Sequence, residues 1–183
     1  MLTLTAAVVA LAVLTVFNLL ICFAVIRRLR AVEESSGREQ YADDLPRPGT
    51  AVTGFSAVTS DGIVLGTTDL AHDEDFVGVV SVGCPACEAF ADGLSERADR
   101  LPERALLIVT AGEGDDPASM VERLRPYASV VVTADDGPEL AAFGEITAFP
   151  TFMRLERGVV VASHVKADAI LRTFPASRAG AVR

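Results

Sequence analysis

The hydrophobic pattern divides the chain into a long uncharged N-terminal segment and a remainder in which apolar and polar runs alternate. Leu2 to Ile26 is mostly aliphatic and contains no charged side chain. A helix rises about 1.5 Å per residue, so a helix over this segment can cross a hydrocarbon core of roughly 30 Å. We therefore predict a transmembrane anchor helix with a basic flank over residues 1–30.

Two other interpretations of this segment fit less well. A cleaved signal peptide has a basic start, a short apolar core of roughly 7–15 residues and a small-residue cleavage site. None of these features is present in the N-terminal segment. A lipidated cysteine would follow a small residue, but Cys22 follows the large Ile21. We interpret Cys22 as a small apolar side chain within a membrane helix.

The remainder of the chain predicts a polar linker over residues 31–48, one folded domain over 49–175 and a flexible tail over 176–183. At the start of the domain, two short apolar runs flank Asp61-Gly62, a step that favours a β-hairpin. Short β-branched runs then predict buried strands, and segments with helical spacing lie between them. The predicted buried strands are 76–82, 105–110 and 129–133, and a hairpin of two further strands is predicted over 151–155 and 159–163. The predicted helices are 84–101, 116–125, 139–143 and 167–174.

This alternation of strands and helices, followed by a closing hairpin and a last helix, predicts an α/β fold. Its central sheet should be mixed, with helices on both faces. The folded part is acidic, because the 16 basic and 25 acidic residues all follow Ile26 and leave a net charge of −9. Nucleic-acid binding requires a basic face, so we expect no nucleic-acid partner.

Of the three cysteines, only Cys84 and Cys87 are closely spaced. A disulfide scaffold or a four-cysteine zinc site would need a second pair. The two histidines, His72 and His164, lie far from the pair in sequence. We therefore predict no metal site and no cofactor.

The sequence Cys84-Pro85-Ala86-Cys87 directly follows a predicted buried strand and begins a predicted helix. The unpaired N–H groups and positive dipole end of a helix N-terminus stabilise a thiolate, which is the reactive form of cysteine. Cys84, the more exposed of the two, would attack a substrate disulfide, and Cys87 would resolve the resulting mixed disulfide. A structural disulfide or a soft-metal site is the alternative interpretation of this dithiol.

Three segments together resemble the thioredoxin superfamily, and most closely its membrane-anchored TlpA-like and ResA-like branch. They are the hairpin Phe55 to Gly62, the strand and motif Val79 to Cys87, and Phe149-Pro150-Thr151. The resemblance implies a thioredoxin fold with an extra N-terminal β-hairpin. It also implies a redox-active Cys84–Cys87 disulfide and a cis Pro150 that faces the dithiol and helps to dock the substrate.

The activity implied by the resemblance is that of a thiol–disulfide oxidoreductase. Its partners would be protein thiols or disulfides and a redox partner protein. The Cys-Pro-x-Cys form also resembles the thioredoxin-like proteins of methylamine utilisation, which act in disulfide formation, so both the reducing and the oxidising direction stay open. A peroxiredoxin is rejected, because its motif needs a proline where Val77 stands.

The sequence departs from the thioredoxin pattern at two positions near the dithiol. Gly83 stands where an aromatic residue often precedes the first cysteine, and Gly78 stands where many thioredoxins carry a buried acidic residue. The acid–base group of the site is therefore unassigned, with Glu88 and Asp75 as the remaining candidates.

Two arguments about membrane sidedness oppose each other. Arg27, Arg28 and Arg30 follow the apolar segment, and the positive-inside rule places such a flank in the cytoplasm, with the folded domain. The resemblance implies an extracytoplasmic domain, and long domains can be translocated regardless of charge. We expect a single-pass protein of the cell membrane with its domain outside the cytoplasm.

The sequence therefore predicts a membrane-tethered thiol–disulfide oxidoreductase that reduces or forms disulfides in partner proteins. The alternative is a tethered soft-metal chaperone or adaptor module, in which the dithiol binds metal or is structural.

Overall fold

The computed structural model describes residues 14–19, 21, 23, 44–144 and 146–174. The chain divides into two units, Met1–Gln40 and Tyr41–Arg183. The described residues of the first unit are helical, and no helix among the residues described is both long and apolar enough to span a membrane. Most of the predicted anchor, most of the linker and the whole predicted tail lie outside the described residues, so the domain boundaries stay predictions.

The second unit contains two β-sheets. A five-stranded sheet has the order β5-β4-β3-β6-β7, and β1 and β2 form a separate two-stranded sheet. β3 pairs in parallel with β4, and β4 with β5, whereas β6 is antiparallel to both β3 and β7. The mixed central sheet predicted from the sequence is confirmed. The strands are β1 Ser56–Val58, β2 Val64–Gly66, β3 Asp75–Ser81, β4 Ala105–Ala111, β5 Ser129–Ala134, β6 Thr151–Glu156 and β7 Val159–His164.

Four short α-helices connect or follow these strands. They are α1 Pro85–Asp92, α2 Ala118–Leu124, α3 Pro138–Ala141 and α4 Ala167–Leu171. The prediction of one helix over 84–101 is wrong, because α1 ends at Asp92 and a separate 3-10 helix covers Ser95–Arg100. Gly93 is the C-cap of α1, and glycine favours the end of a helix. The Gly93 carbonyl accepts a 2.7 Å hydrogen bond from Arg97 Nη1.

Hydrophobic residues cover both faces of the central sheet. On one face α1, α2 and α4 pack against β3, β4 and β6, and on the other the hairpin and α3 pack against β3, β4 and β5. β3 is buried along almost its whole length, which explains its continuous apolar sequence. The first cluster includes Cys87, Phe90, Leu107, Leu124, Phe152 and Ile170, and the second includes Phe55, Val77, Val79, Ile108, Leu140 and Phe143.

The N-terminal part of the unit lies along both edges of the sheet. In the turn of the β1–β2 hairpin, the Ser60 N–H donates a 2.7 Å hydrogen bond to Val130 O on the edge strand β5. At the other edge, the Val52 N–H donates a 2.8 Å bond to Gly158 O, and Ala51 forms a bridge with Val159. Unpaired edge strands are templates for aggregation, and these contacts partly cover them.

Candidate functional site

The dithiol lies where β3 leads into α1. Cys84 is the N-cap residue of α1, and Pro85 occupies the first turn, where its missing N–H costs no helical hydrogen bond. Gly83 has a φ of 76°. This value lies in the left-handed region that favours glycine. An aromatic side chain at this position would be strained by about 1–2 kcal/mol, which explains why the residue before the first cysteine is glycine.

The two thiols differ in their exposure and in their hydrogen bonds. Cys84 is half-buried, and its Sγ accepts a hydrogen bond from the Cys87 N–H at 3.3 Å. Cys87 is 0% exposed, and its Sγ accepts one from the Ser81 N–H at 3.4 Å. Cys84 is therefore the thiol that a substrate can reach. The catalytic roles of both cysteines and their disulfide stay predictions.

Burial controls the acidity of the inner thiol. Burial, with a further contribution from a hydrogen bond between the side chains of Cys87 and Cys84, raises the pKa of Cys87 from 9.0 to about 12. The Ser81 N–H acts in the opposite direction, but its effect is smaller. Cys87 is therefore a protonated thiol at neutral pH.

The loop before β6 lies against the dithiol. The Phe149–Pro150 peptide bond is cis, and Phe149 O lies 3.8 Å from Cys84 Sγ. The Thr151 hydroxyl donates a 2.6 Å hydrogen bond to Ala148 O and so holds the loop closed on itself. The fold thus brings Cys84, Cys87 and Pro150 together, although the docking role of Pro150 stays a prediction.

Asp75, one of the two acid–base candidates, lies outside the site. It begins β3, whereas the dithiol follows the other end of this strand. A strand of this length spans roughly 20 Å. The Asp75 carboxylate is buried and accepts hydrogen bonds from the His72 N–H at 3.0 Å and from Arg104 Nε at 3.1 Å. Asp75 therefore holds the start of β3 through these hydrogen bonds and does not contact the dithiol.

Glu88, the other candidate, follows Cys87 in α1. Its carboxylate forms an ion pair with Arg123 of α2, and Arg123 Nη1 also contacts Asp92 Oδ1 at 2.8 Å. Of the two candidate carboxylates, Glu88 is thus the one that lies beside the dithiol.

Gly78 leaves no room for the missing carboxylate, because a Cβ there would lie only 2.6 Å from Leu107 Cδ2.

A groove beside the dithiol was not predicted from the sequence. It has a volume of about 450 Å³ and extends from Ala86 and Pro150 to α4. Its charged lining residues are Arg97, Lys166, Asp168 and Arg172. Arg97 and Asp168, which contact each other at 3.4 Å, are 71 residues apart in the sequence, so only the fold brings them together. We find no signal in the sequence that would have identified this groove.

The histidines and carboxylates do not add metal ligands to the dithiol. Over the described ranges, no group of three or more His, Cys, Asp or Glu side chains has a geometry suitable for a metal ion. His164 Nδ1 accepts a 2.9 Å hydrogen bond from the Lys166 N–H, and His72 lies beside Asp75. The dithiol would therefore supply only two ligands from this part of the chain.

Comparison with known proteins gives structural matches. No protein-family model matches the chain, and no curated protein matches it. The thioredoxin domain of a thiol-disulfide oxidoreductase from Bacteroides vulgatus matches with a TM-score of 0.54 and 16% identity, over 69% of this chain and 94% of that chain. A thio-disulfide isomerase from Thermus thermophilus matches with a TM-score of 0.51 and 22% identity, over 69% and 94%.

A third similar structure is a secreted disulfide oxidoreductase from Mycobacterium tuberculosis. Its TM-score is 0.50 and its identity 19%, and the match covers 66% of this chain and 96% of that chain. At such identities the similarity establishes the fold alone. With its mixed sheet, covered faces and strand order, the chain has the thioredoxin fold.

Proposed function

We propose that this chain is a membrane-tethered thiol–disulfide oxidoreductase that reduces or forms disulfides in partner proteins. The observation that carries the proposal is the pairing of an accessible and a buried thiol, joined by a side-chain hydrogen bond, at the N-terminus of α1. The thioredoxin fold and the loop of Phe149 and Pro150 beside Cys84 support it.

In the reducing direction, the Cys84 thiolate attacks a substrate disulfide. A bond forms between Cys84 Sγ and one substrate sulfur, and the other substrate sulfur leaves as a thiolate and takes up a proton. Cys87 then loses its proton and attacks Cys84 Sγ, which forms the Cys84–Cys87 disulfide and releases the second substrate thiol. Two electrons and two protons pass from the dithiol to the substrate, and the reverse sequence forms a disulfide in the substrate.

The order of these steps follows from the acidity of Cys87. Its pKa of about 12 keeps the resolving thiol protonated while Cys84 is free, and so leaves the first attack to Cys84. The charge of Cys84 and its hydrogen bond are among the causes that raise the pKa of Cys87. Once Cys84 Sγ is part of a mixed disulfide its charge is gone, so Cys87 becomes easier to deprotonate when it is needed.

The membrane tether is part of the proposal. It is supported by the uncharged segment from Leu2 to Ile26, which is long enough to cross a hydrocarbon core, and by the basic residues after it. The resemblance to membrane-anchored thioredoxin-like proteins supports an extracytoplasmic domain. Confinement near the membrane would restrict the enzyme to partners that reach the same surface.

Two cysteine variants of the full chain test the activity. We expect Cys84→Ser to abolish thiol exchange, because the accessible nucleophile is lost. We expect Cys87→Ser to accumulate a mixed disulfide with its partner, because the resolving thiol is lost. Mass spectrometry before and after reduction measures the trapped species, with Cys22→Ser as the control. Exchange at the wild-type rate in the Cys84→Ser variant would refute the proposal.

The alternative, a tethered soft-metal chaperone or adaptor, rests on the dithiol alone. Thiolates suit copper(I). Among the described residues, however, no His, Cys, Asp or Glu side chain completes a three-ligand metal site with the pair. Stoichiometric copper(I) in the purified protein, together with no thiol exchange, would favour this alternative over the oxidoreductase.

A further inference from the structure

The groove beside the dithiol is positively charged, although the chain as a whole carries a net charge of −9. Three of its lining residues, Arg97, Lys166 and Arg172, are cationic, and only Asp168 is anionic. Asp168 is already engaged by Arg97 at 3.4 Å and by Arg100 at 2.8 Å. The remaining positive charge therefore lies on Lys166 and Arg172.

Lys166 and Arg172 are both exposed. Over residues 44–144 and 146–174, neither side chain forms an ion pair. Lys166 is also the only lysine of the chain. These two cations flank α4 and remain available to a ligand that enters the groove.

The floor of the groove is apolar and reaches the neighbourhood of the dithiol at Ala86 and Pro150. Phe90, Phe152 and Pro150 are buried and line it, and Ala86 lies between the two cysteines. The groove has a volume of about 450 Å³. Ligand clefts usually have volumes of roughly 300–1,000 Å³. A side chain or two next to a substrate cysteine can therefore occupy the groove while the cysteine sulfur meets Cys84.

The opposite side of the dithiol has the opposite charge. Asp115 and Asp116 follow β4, and Asp135 and Asp136 follow β5, and all four are exposed. β3, β4 and β5 are parallel, so these loops and the dithiol all lie at the carboxyl ends of these strands. The loops are on the side of the dithiol away from β6 and α4. An acidic segment of a substrate is thus attracted towards the groove and repelled from the other side.

We propose that Lys166 and Arg172 select protein substrates in which acidic residues flank the reactive cysteine. This inference rests on the proposed oxidoreductase function and assigns a substrate class to it. Complementary charge sets the orientation and rate of encounter more than the strength of binding. The selection should therefore be a kinetic preference in the first attack by Cys84.

The test uses the full-length, pre-reduced chain and three peptides whose single cysteine is activated as a mixed disulfide with a chromophoric aromatic thiol. The cysteine is flanked by Asp and Glu, by Ser and Gly, or by Lys and Arg. Attack by Cys84 releases the chromophore, so stopped-flow absorbance gives the second-order rate constant. Near physiological ionic strength the Debye length is about 8 Å, so the distant acidic charges are largely screened while the groove still acts.

We expect the acidic peptide to react about five to ten times faster than the basic one, and this ratio to approach one at roughly 1 M salt. Lys166→Glu and Arg172→Glu should each lower the ratio, and Arg172→Lys should keep it. Arg125→Glu is the matched control, because Arg125 is an exposed arginine at the opposite end of the parallel strands. This control should keep the wild-type ratio.

A wild-type ratio near one, or a ratio that persists in both Lys166→Glu and Arg172→Glu, would overturn the inference. Faster exchange with glutathione disulfide than with the acidic peptide would overturn the assignment to a protein segment. These outcomes leave the proposed function standing, provided that the neutral peptide reacts with the wild-type chain and not with Cys84→Ser. If no peptide reacts with the wild-type chain, the proposed function itself fails.

Discussion

Single residues explain both departures of the active-site sequence from the thioredoxin pattern. Gly83 adopts a left-handed conformation, so the usual aromatic residue does not suit this position. Gly78 lies under Leu107 and Phe152, so a buried carboxylate has no room there. The sequence reveals that these positions are unusual, but the reason depends on a dihedral angle and on contacts between strands distant in the sequence.

The close packing at Gly78 predicts that even a methyl group destabilises the protein. A Cβ would lie 2.6 Å from Leu107 Cδ2 and 3.1 Å from Phe152 Cδ1. We expect Gly78→Ala to lower the free energy of unfolding by about 1–3 kcal/mol, measured by urea denaturation, because overpacking forces the core apart.

Two further variants separate overpacking from a loss of glycine flexibility. Gly66→Ala is the control, because its Cβ would meet nothing closer than 3.8 Å. This control should change the free energy of unfolding by less than about 0.5 kcal/mol. The double variant Gly78→Ala with Leu107→Ala should lose less free energy of unfolding than the sum of the losses in the two single variants, because Leu107→Ala creates space for the methyl group. Additive losses would contradict the proposed contact.

The raised pKa of Cys87 predicts that the reduced protein loses stability in alkali. The folded state holds this proton up to a pKa of about 12, whereas the ordinary value is 9.0. Stability from this group is therefore complete below about pH 9 and is lost as the pH rises towards 12. Between about pH 8 and pH 10 we expect the reduced wild type to lose roughly 1 kcal/mol more than Cys87→Ala, measured by urea denaturation. Equal losses in the two proteins would argue against a buried, protonated Cys87.

At the scale of elements, the sequence predicted the buried strands better than the helix ends. Continuous apolar runs identified β3 and β4, because strands covered on both faces have little need for polar positions. The prediction of a third buried strand is right only for the middle of the edge strand β5, where Val130 and Val131 are buried and Val132 is 42% exposed. The helical spacing beyond Asp92 suggested that α1 continues, but Gly93 ends it. Leu94 and Leu101, which flank the 3-10 helix, are at helical spacing and pack against the same core as α1, so the spacing alone could not reveal the break.

The burial of Asp75 predicts a role in holding the start of β3. Its carboxylate is 2% exposed and accepts hydrogen bonds from Arg104 and from the His72 N–H. We expect Asp75→Ala to lower the free energy of unfolding by about 2 kcal/mol, because both donors lose their partner. The exchange rate of the dithiol should stay within about twofold of wild type, because β3 separates the two places by roughly 20 Å.

Thermal or urea unfolding and an exchange assay on the same protein distinguish this structural role from an acid–base role. Asp73→Ala is the control, because Asp73 is 88% exposed and lies 3.8 Å from Arg157 Nε. An exposed ion pair of this kind should contribute little to stability. A large loss of exchange activity in folded Asp75→Ala protein would contradict the structural assignment.

At the scale of the whole molecule, the order of elements predicted the mixed sheet and its two covered faces. This was possible because only a few sheet topologies are compatible with a given order of strands and helices. The groove could not be predicted in this way. Its basic and apolar lining residues come from α1, the 3-10 helix after it, the Pro150 loop with the start of β6, and α4 with the residues that flank it, and only folding brings these segments together. A resemblance based on the hairpin, the cysteine motif and the Pro150 loop says nothing about the charges around the dithiol.

The sidedness of the domain is the last prediction, and two features of the chain oppose each other in it. The basic flank of Arg27, Arg28 and Arg30 favours a cytoplasmic domain. The function that we propose for the thioredoxin-like site, in contrast, involves partners outside the cytoplasm. We expect a membrane-impermeant maleimide to label Cys84 in intact cells after mild reduction, because Cys84 is the accessible thiol of the pair.

The Cys84→Ser variant measures the labelling of the remaining thiols, and Cys22→Ser removes any contribution from the apolar segment. Both controls use the full chain in its own membrane, so the orientation set by the N-terminal segment is retained. Labelling of Cys84 that appears only after the cells are permeabilised would place the domain in the cytoplasm. The basic flank would then determine the orientation, and the partners of the dithiol would have to be cytoplasmic proteins.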